Sequence, residues 1–279
     1  DKWRKFMYML KARFYLRLSN APGRTASVQA DSALAALQNG FASNADNAKV
    51  PYPGTPGAEN PWYENTLPGA GGVVLGEYFI NTLVNNADPR LPIFATEKDG
   101  GGYAGRPAGI DAVPDPNVFS SLNTFYGGYL PLDPDNAAGA GASLYLGTYT
   151  EQLFIQAEAT FIKSGAAAAN PIYRSAIAAH MDMLAVTTEE RDTYVNARPA
   201  LTDADALQQI INEKYIADFL TLETYNDWRR TGFPTLTLAQ NAYVDYIPLR
   251  WPYSTTAVLT NPQPQQSATT KDPVWWDKQ

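Results

Sequence analysis

Between Val50 and Gly147 the chain is too rich in glycine and proline for long regular elements, and this constrains the fold more than any other feature. Sixteen of the 20 glycines fall there, and Pro51-Tyr52-Pro53-Gly54-Thr55-Pro56-Gly57 alternates missing amide donors with residues that favour left-handed backbone. A helical piece from Gly76 to Asn85 is expected to interrupt the stretch. Roughly a hundred residues of mainly irregular chain is unusual in a compact protein, and ordered loops of such length tend to carry function.

The flanks read as helices. Trp3, Phe6, Met7, Leu10, Phe14 and Leu18 recur at helical spacing and predict one buried stripe. Lys2, Arg4, Lys5, Lys11, Arg13 and Arg17 take the other side, as a solvated or partner-facing surface. A helix is expected over Ser27 to Gln38, with Gly40 as the residue that ends it. Thr148 and Glu151 have capping-box spacing ahead of Leu153, Phe154, Ala157 and Phe161, and Gly165 marks the stop. Asn170-Pro171 predicts the next helical start, leading through Tyr173, Ile177 and Met181. The two would form an antiparallel hairpin whose axes approach over Ala157, Ala159 and Ala176. Another helix is expected over Glu189 to Ala197. A long one should run from Thr202 through Leu207, Ile211, Tyr215, Phe219 and Leu222 to Trp228-Arg229-Arg230, with Gly232 and Pro234 ending it. Beyond Pro234 the chain reads as extended. The fold class is therefore mainly α, with a large irregular loop-rich insertion over about 50–147.

Composition removes several chemistries. The 279 residues contain no cysteine and one histidine, His180, so disulfides, thiolate nucleophiles and multi-histidine zinc sites drop out, and no metal or cofactor is expected. A net charge of −7 disfavours nucleic acid as a partner. No apolar run reaches the length of a membrane-spanning helix, and the sequence opens directly on the amphipathic stripe at Trp3, so a mature or trimmed chain is expected, with any targeting segment upstream. Gly100-Gly101-Gly102-Tyr103-Ala104-Gly105 matches a dinucleotide-loop pattern formally, but it follows Glu97-Lys98-Asp99 and lacks a surrounding βαβ unit.

Ordered short strings along the chain carry a family resemblance. They are Trp3-Arg4-Lys5-Phe6 with Leu16-Arg17-Leu18-Ser19, Asp88-Pro89-Arg90-Leu91-Pro92, Tyr103-Ala104-Gly105, and Thr148 to Gly165 with its partner Tyr173 to Met181. The most specific is Glu223-Thr224-Tyr225-Asn226-Asp227-Trp228-Arg229-Arg230-Thr231-Gly232-Phe233-Pro234. Ile247-Pro248-Leu249-Arg250, Tyr253, Asn261 and Trp275-Trp276-Asp277 complete the set. Together they resemble the SusD/RagB-like outer-membrane glycan-binding lipoproteins. The resemblance implies a SusD-like helical, tetratricopeptide-like scaffold, with residues 1–279 as one domain and the C-terminal part of a longer protein. It implies capture of an oligosaccharide or polysaccharide at the outer-membrane surface without catalysis, and delivery to a SusC-type TonB-dependent transporter. Attachment to the membrane would be through a lipid anchor outside this chain.

Sugar binding in water needs flat apolar rings against the pyranose C–H face and amides or carboxylates at its edge. Asn60-Pro61-Trp62-Tyr63-Glu64-Asn65 supplies both in one loop, so Asn60, Trp62, Tyr63 and Glu64 are the candidate glycan platform, with Tyr52, Tyr103, Tyr126 and Tyr129 as secondary candidates. The same rings could instead plug the loop onto the core. Asp227 to Arg230 read as structural, bonding carbonyls and acids to lock the tail onto its helix. The competing function is a glycoside hydrolase using a Glu/Asp pair, for which Glu151 with Glu158, or Glu213 with Glu223, are the available carboxyls. His180 reads as a surface or packed residue rather than a base.

Overall fold

A computed structural model describes residues 1–68, 72–130, 137–261 and 268–277. The parts of the loop region at 69–71 and 131–136, and of the tail at 262–267, lie outside the described residues. Eleven α-helices occur among the described residues: α1 Lys2–Arg17, α2 Ala26–Leu37, α3 Pro61–Thr66, α4 Glu77–Asn85, α5 Leu91–Phe94, α6 Tyr149–Ser164, α7 Ala166–Met183, α8 Thr188–Ala197, α9 Ala206–Ala217, α10 Glu223–Thr231 and α11 Thr255–Thr260. Strands β1 Ala48–Val50 and β2 Leu144–Gly147 pair antiparallel as the one described sheet. No described helix is long and apolar enough to cross a membrane.

Helix α6 is the axis of the molecule because its sequence is apolar on two faces. Leu153, Phe154 and Ala157 pack with Tyr173 and Ile177 of α7 and Ile210 of α9, while Ile155 and Ala159 pack with Met9 and Ala12 of α1 and Ala30, Ala33 and Ala36 of α2. A helix apolar all round is one that is buried, and here two cores share it. The third core lies under the loops, where Phe79, Ile80, Phe94, Leu122 and Tyr126 close on Ile216. Phe79 stacks on Phe219 with 4.5 Å between ring centres.

Several sequence expectations are corrected. The buried stripe of α1 is Phe6, Met9, Ala12 and Leu16, whereas Trp3, Met7 and Phe14 are exposed at 72, 61 and 52%. The helix has apolar residues on two sides, and the alanine face of α2 selects the one that lets two axes approach. Gly40 does not end α2 with a left-handed turn. It lies under the Gln152 amide, and a β-carbon there would stand 2.2 Å from Gln152 Oε1. That amide accepts from the Phe41 N–H at 2.6 Å and donates to the Phe41 carbonyl at 2.8 Å.

The Thr148 box is half formed. Its hydroxyl accepts from the Glu151 amide at 3.0 Å, but the Glu151 carboxylate turns to the Arg13 guanidinium at 2.6 and 2.7 Å. The complete box is at Thr187 and Glu190, opening α8. Helix α7 begins at Ala166, four residues before Asn170, because Asp203 Oδ1 accepts from the Ala166 amide at 2.8 Å. Pro171 therefore sits inside the helix. The expected long helix is two, since the chain turns at Leu220 with φ of 63° between α9 and α10. The tail also contains one helical turn more than expected, α11.

Candidate functional site

Asn60 organises the expected platform. Its Oδ1 accepts from the Trp62 amide at 2.8 Å, capping α3 with Pro61 at the first turn. Its Nδ2 donates to the Ala142 carbonyl at 3.0 Å and its own amide to Ala140 at 2.8 Å. Asn60 is 1% exposed, so it is not a group that meets a sugar. Its function is to fix where Trp62 and Tyr63 stand.

Tyr63 meets Tyr129 edge to face with ring centres 6.1 Å apart, and the Tyr129 amide donates to Thr66 Oγ1 at 2.8 Å. Trp62, Tyr63 and Tyr52 are half-buried and Glu64 is exposed, in the first turn where the helix dipole favours a carboxylate. Trp62, Tyr63 and Glu64 share α3, and the backbone of Tyr52 comes near it where Gly54 and the Tyr52 carbonyl lie against Gly141, next to the Ala140 carbonyl that the Asn60 amide binds. Tyr103 packs on the core under the loops, which Trp62 also touches, and burial, with Glu97, pushes its phenol up. Tyr126 and Tyr129 are buried in the loop core and offer no open ring face.

Two concavities flank these elements. Beside Trp62 lies a narrow cavity of about 40 Å³ shared by Asn60, Tyr126, Tyr145, Glu151 and Asp218. A single water occupies about 10–15 Å³ on that measure, so the space suits a few waters and no sugar ring. A cleft of about 420 Å³ opens between the start of α4 and the tail, lined by Glu77, Tyr78, Arg106, Gln240, Val244 and Tyr246. Arg106 fixes its wall by donating to Ile110 and Ala112 carbonyls, each at 2.7 Å. Sequence reading missed this cleft, since its two sides are far apart in the chain and only Tyr78, next to an expected helix start, hinted at it.

The four glutamates available to a hydrolase are all held by arginines. Glu151 is bidentate with Arg13, Glu158 with Arg230, Glu223 pairs with Arg17, and Glu213 accepts from Arg90 at 2.9 Å and from the Tyr194 hydroxyl at 2.7 Å. His180 is fully buried with Nδ1 3.0 Å from Arg90 Nη1, and burial together with that guanidinium keeps it neutral. No cluster of three or more potential metal-ligating side chains occurs among the described residues.

The Asp227 to Pro234 block builds the junction of tail and scaffold. Asp227 takes an ion pair from Lys214 and one from Arg230 at 2.9 Å. Arg229 lies over the Tyr225 ring at 4.3 Å and over Trp276 at 4.9 Å, and donates to the Leu249 carbonyl at 3.2 Å. Gly232 closes α10 in a left-handed turn with φ of 75°.

A mainly helical scaffold with its surface chemistry on long, tightly hydrogen-bonded loops is the class of protein these features define. The chain belongs to the SusD-like family, whose model, described as starch-binding associating with outer membrane, matches residues 1–254. No curated protein matches it significantly. Among solved structures it resembles a chitin-binding protein at 24% identity and a TM-score of 0.79, covering 99% of this chain and 64% of that one. A SusD homologue from Bacteroides vulgatus shows 21% identity and a TM-score of 0.78 over 99% of this chain and 62% of that one. A SusD homologue from Bacteroides fragilis shows 22% and 0.72 over 93% and 62%. The chain thus spans under two thirds of the length of these relatives.

Proposed function

We propose that this chain captures oligosaccharide or polysaccharide at the bacterial outer-membrane surface, without cleaving it, and delivers it to a SusC-type TonB-dependent transporter. Membrane attachment would come through a lipid anchor outside the chain. The observation that carries the reading is the α3 turn: Trp62 and Tyr63 with Glu64 on a backbone fixed by Asn60, on a scaffold of the SusD-like family. A backbone fixed by its cap needs little further ordering when a sugar stacks on the rings it carries, which helps a shallow surface reach useful affinity. The engagement of Glu151, Glu158, Glu213 and Glu223 by arginines supports binding over hydrolysis, because a carboxylate held at both oxygens is a poor proton donor or nucleophile.

The α4–tail cleft is the second location the geometry favours, since about 420 Å³ lies within the size range of small-ligand sites. Affinity electrophoresis against a polysaccharide panel, comparing wild type with Trp62→Ala and Tyr78→Ala, tests both. Retardation lost in the Trp62 variant supports the platform, and loss in the Tyr78 variant alone moves the site to the cleft. Retardation by no polysaccharide in the wild type would count against glycan capture by this part of the protein.

A further inference from the structure

The cavity beside Trp62 sits on a charge cluster whose acids outnumber its bases. Lys214 pairs with Asp218 at 2.8 Å and with Asp227, and Arg230 pairs with Asp227 and Glu158. That group holds three carboxyls, Asp218, Asp227 and Glu158, and two cations, Lys214 and Arg230. The adjoining group, Arg13 and Arg17 with Glu151 and Glu223, is balanced and has no cation to lend. One carboxyl in the first group is therefore uncompensated. Glu158 is bidentate with Arg230, and Asp227 has two cations. The Asp218 carboxyl shares one lysine through Oδ2, and no other side chain pairs with it among the described residues.

Asp218 is 3% exposed and lines the cavity together with Tyr126, whose buried hydroxyl has no hydrogen-bond partner. Asp218 ends α9, and the residues after it, Phe219 to Thr221, form the cavity wall through the left-handed turn at Leu220. We propose that the cavity is a proton- and water-binding site: about three waters join Asp218 to Tyr126, and loss of a proton from Asp218 admits further water at the α9–α10 joint beneath Trp62.

The groups facing Asp218 set the direction. Lys214 on α9 favours its ionised form, and Arg13 on α1 lies within electrostatic reach of it. Glu151 on α6 and Asp227 on α10 oppose ionisation, while Tyr126 and Tyr145 add neutral phenols from the loop side. Burial is the largest influence and, with those acids, takes the carboxyl up to about 7 from the usual 3.8. Once ionised, it is a carboxylate in a low-dielectric space with half a cation, and water entry is the relief nearest to hand. Phe219 in the same turn stacks on Phe79, so the movement would be felt in the loop core.

Carbon-13 NMR of aspartate-labelled protein, titrated between about pH 5 and about pH 9 alongside the Trp62 indole signal, tests this. One carboxyl titrating with a midpoint near 7, with the Trp62 signal moving at the same midpoint and both changes absent in Asp218→Asn, is the expected result. No carboxyl titrating in that range, or a Trp62 transition that persists in Asp218→Asn, overturns the proposal. Should Asp218→Asn not fold, Tyr126→Phe keeps the carboxyl and removes one partner of the bridging water. It should raise the midpoint, and an unchanged midpoint overturns the water link.

Discussion

Arg230 clasps Glu158 with both terminal nitrogens, Nη2 donating to Oε2 at 2.9 Å, and so joins the last long helix to the central one across 72 residues of sequence. Both side chains are almost fully buried. Glu158→Ala strips the buried Arg230 guanidinium of its bidentate partner and leaves it Asp227 alone, which should cost about 3 kcal/mol, read as a lower urea midpoint at unchanged slope. The double change Glu158→Leu with Arg230→Met should recover most of that loss. A single variant within about 1 kcal/mol of wild type would show that the pair is not a structural clasp.

Asp227 predicts the acid limb of stability. Burial alone would raise its pKa, but Lys214 and Arg230 overcome it and hold the carboxyl down to about 2, against 3.8 for a free aspartate. A depressed folded value gives stability that is present above the unfolded value and is lost as pH falls toward the folded one. The expected loss is about 2 kcal/mol between roughly pH 4 and pH 2. Thermal unfolding across that window should show a shallower decline in Asp227→Asn.

Asn60→Ala should lower stability by about 1 kcal/mol through the lost cap, and should weaken glycan retention without removing a ligand-facing group. Faster amide exchange at Trp62 would report the loosened platform. Asn60→Asp keeps the acceptor for Trp62 and loses the donor to the Ala142 carbonyl, so it should restore protection of the Trp62 amide while recovering only part of the stability.

Trp62→Ala should fold and weaken glycan retention about tenfold or more, near 1.4 kcal/mol, where Tyr103→Ala leaves it unchanged. Equal effects of the two changes would argue against a platform centred on α3.

Gly127 is a second control point. Its φ is 93° and a β-carbon there would lie 2.6 Å from Asn60 Oδ1. Gly127→Ala should therefore cost more than the about 1 kcal/mol of an ordinary glycine-to-alanine strain, and displace Asn60 with it. Circular dichroism and the Trp62 exchange rate would separate global from local damage.

Elements governed by neighbours in sequence were legible. Ser27 to Gln38, Gly76 to Asn85 and Glu189 to Ala197 each fall within a residue or so of α2, α4 and α8, because local apolar spacing, and at α8 a complete cap, decide such segments. What was hidden depended on distant partners. Glu151 abandons its own capping box for Arg13, Asp203 starts α7 early, and the alanines of α2 choose which side of α1 is buried. The loop carrying the platform was visible from its glycines, whereas the inward turn of Asn60 and the α4–tail cleft were not. Both depend on chain returning from more than eighty residues away.

Trp276, near the end of the chain, lies over the guanidinium of Arg17 at 5.8 Å and of Arg229 at 4.9 Å, and the Asn20 amide reaches Asp277 at 3.4 Å across 257 residues. Synthesis reaches Trp276 and Asp277 only after Arg17, Asn20 and Arg229. The junction between the first helix and α10 therefore stays unsealed while the chain emerges, and a ribosome that stops before Trp276 releases a molecule whose helices are made but whose final latch is missing.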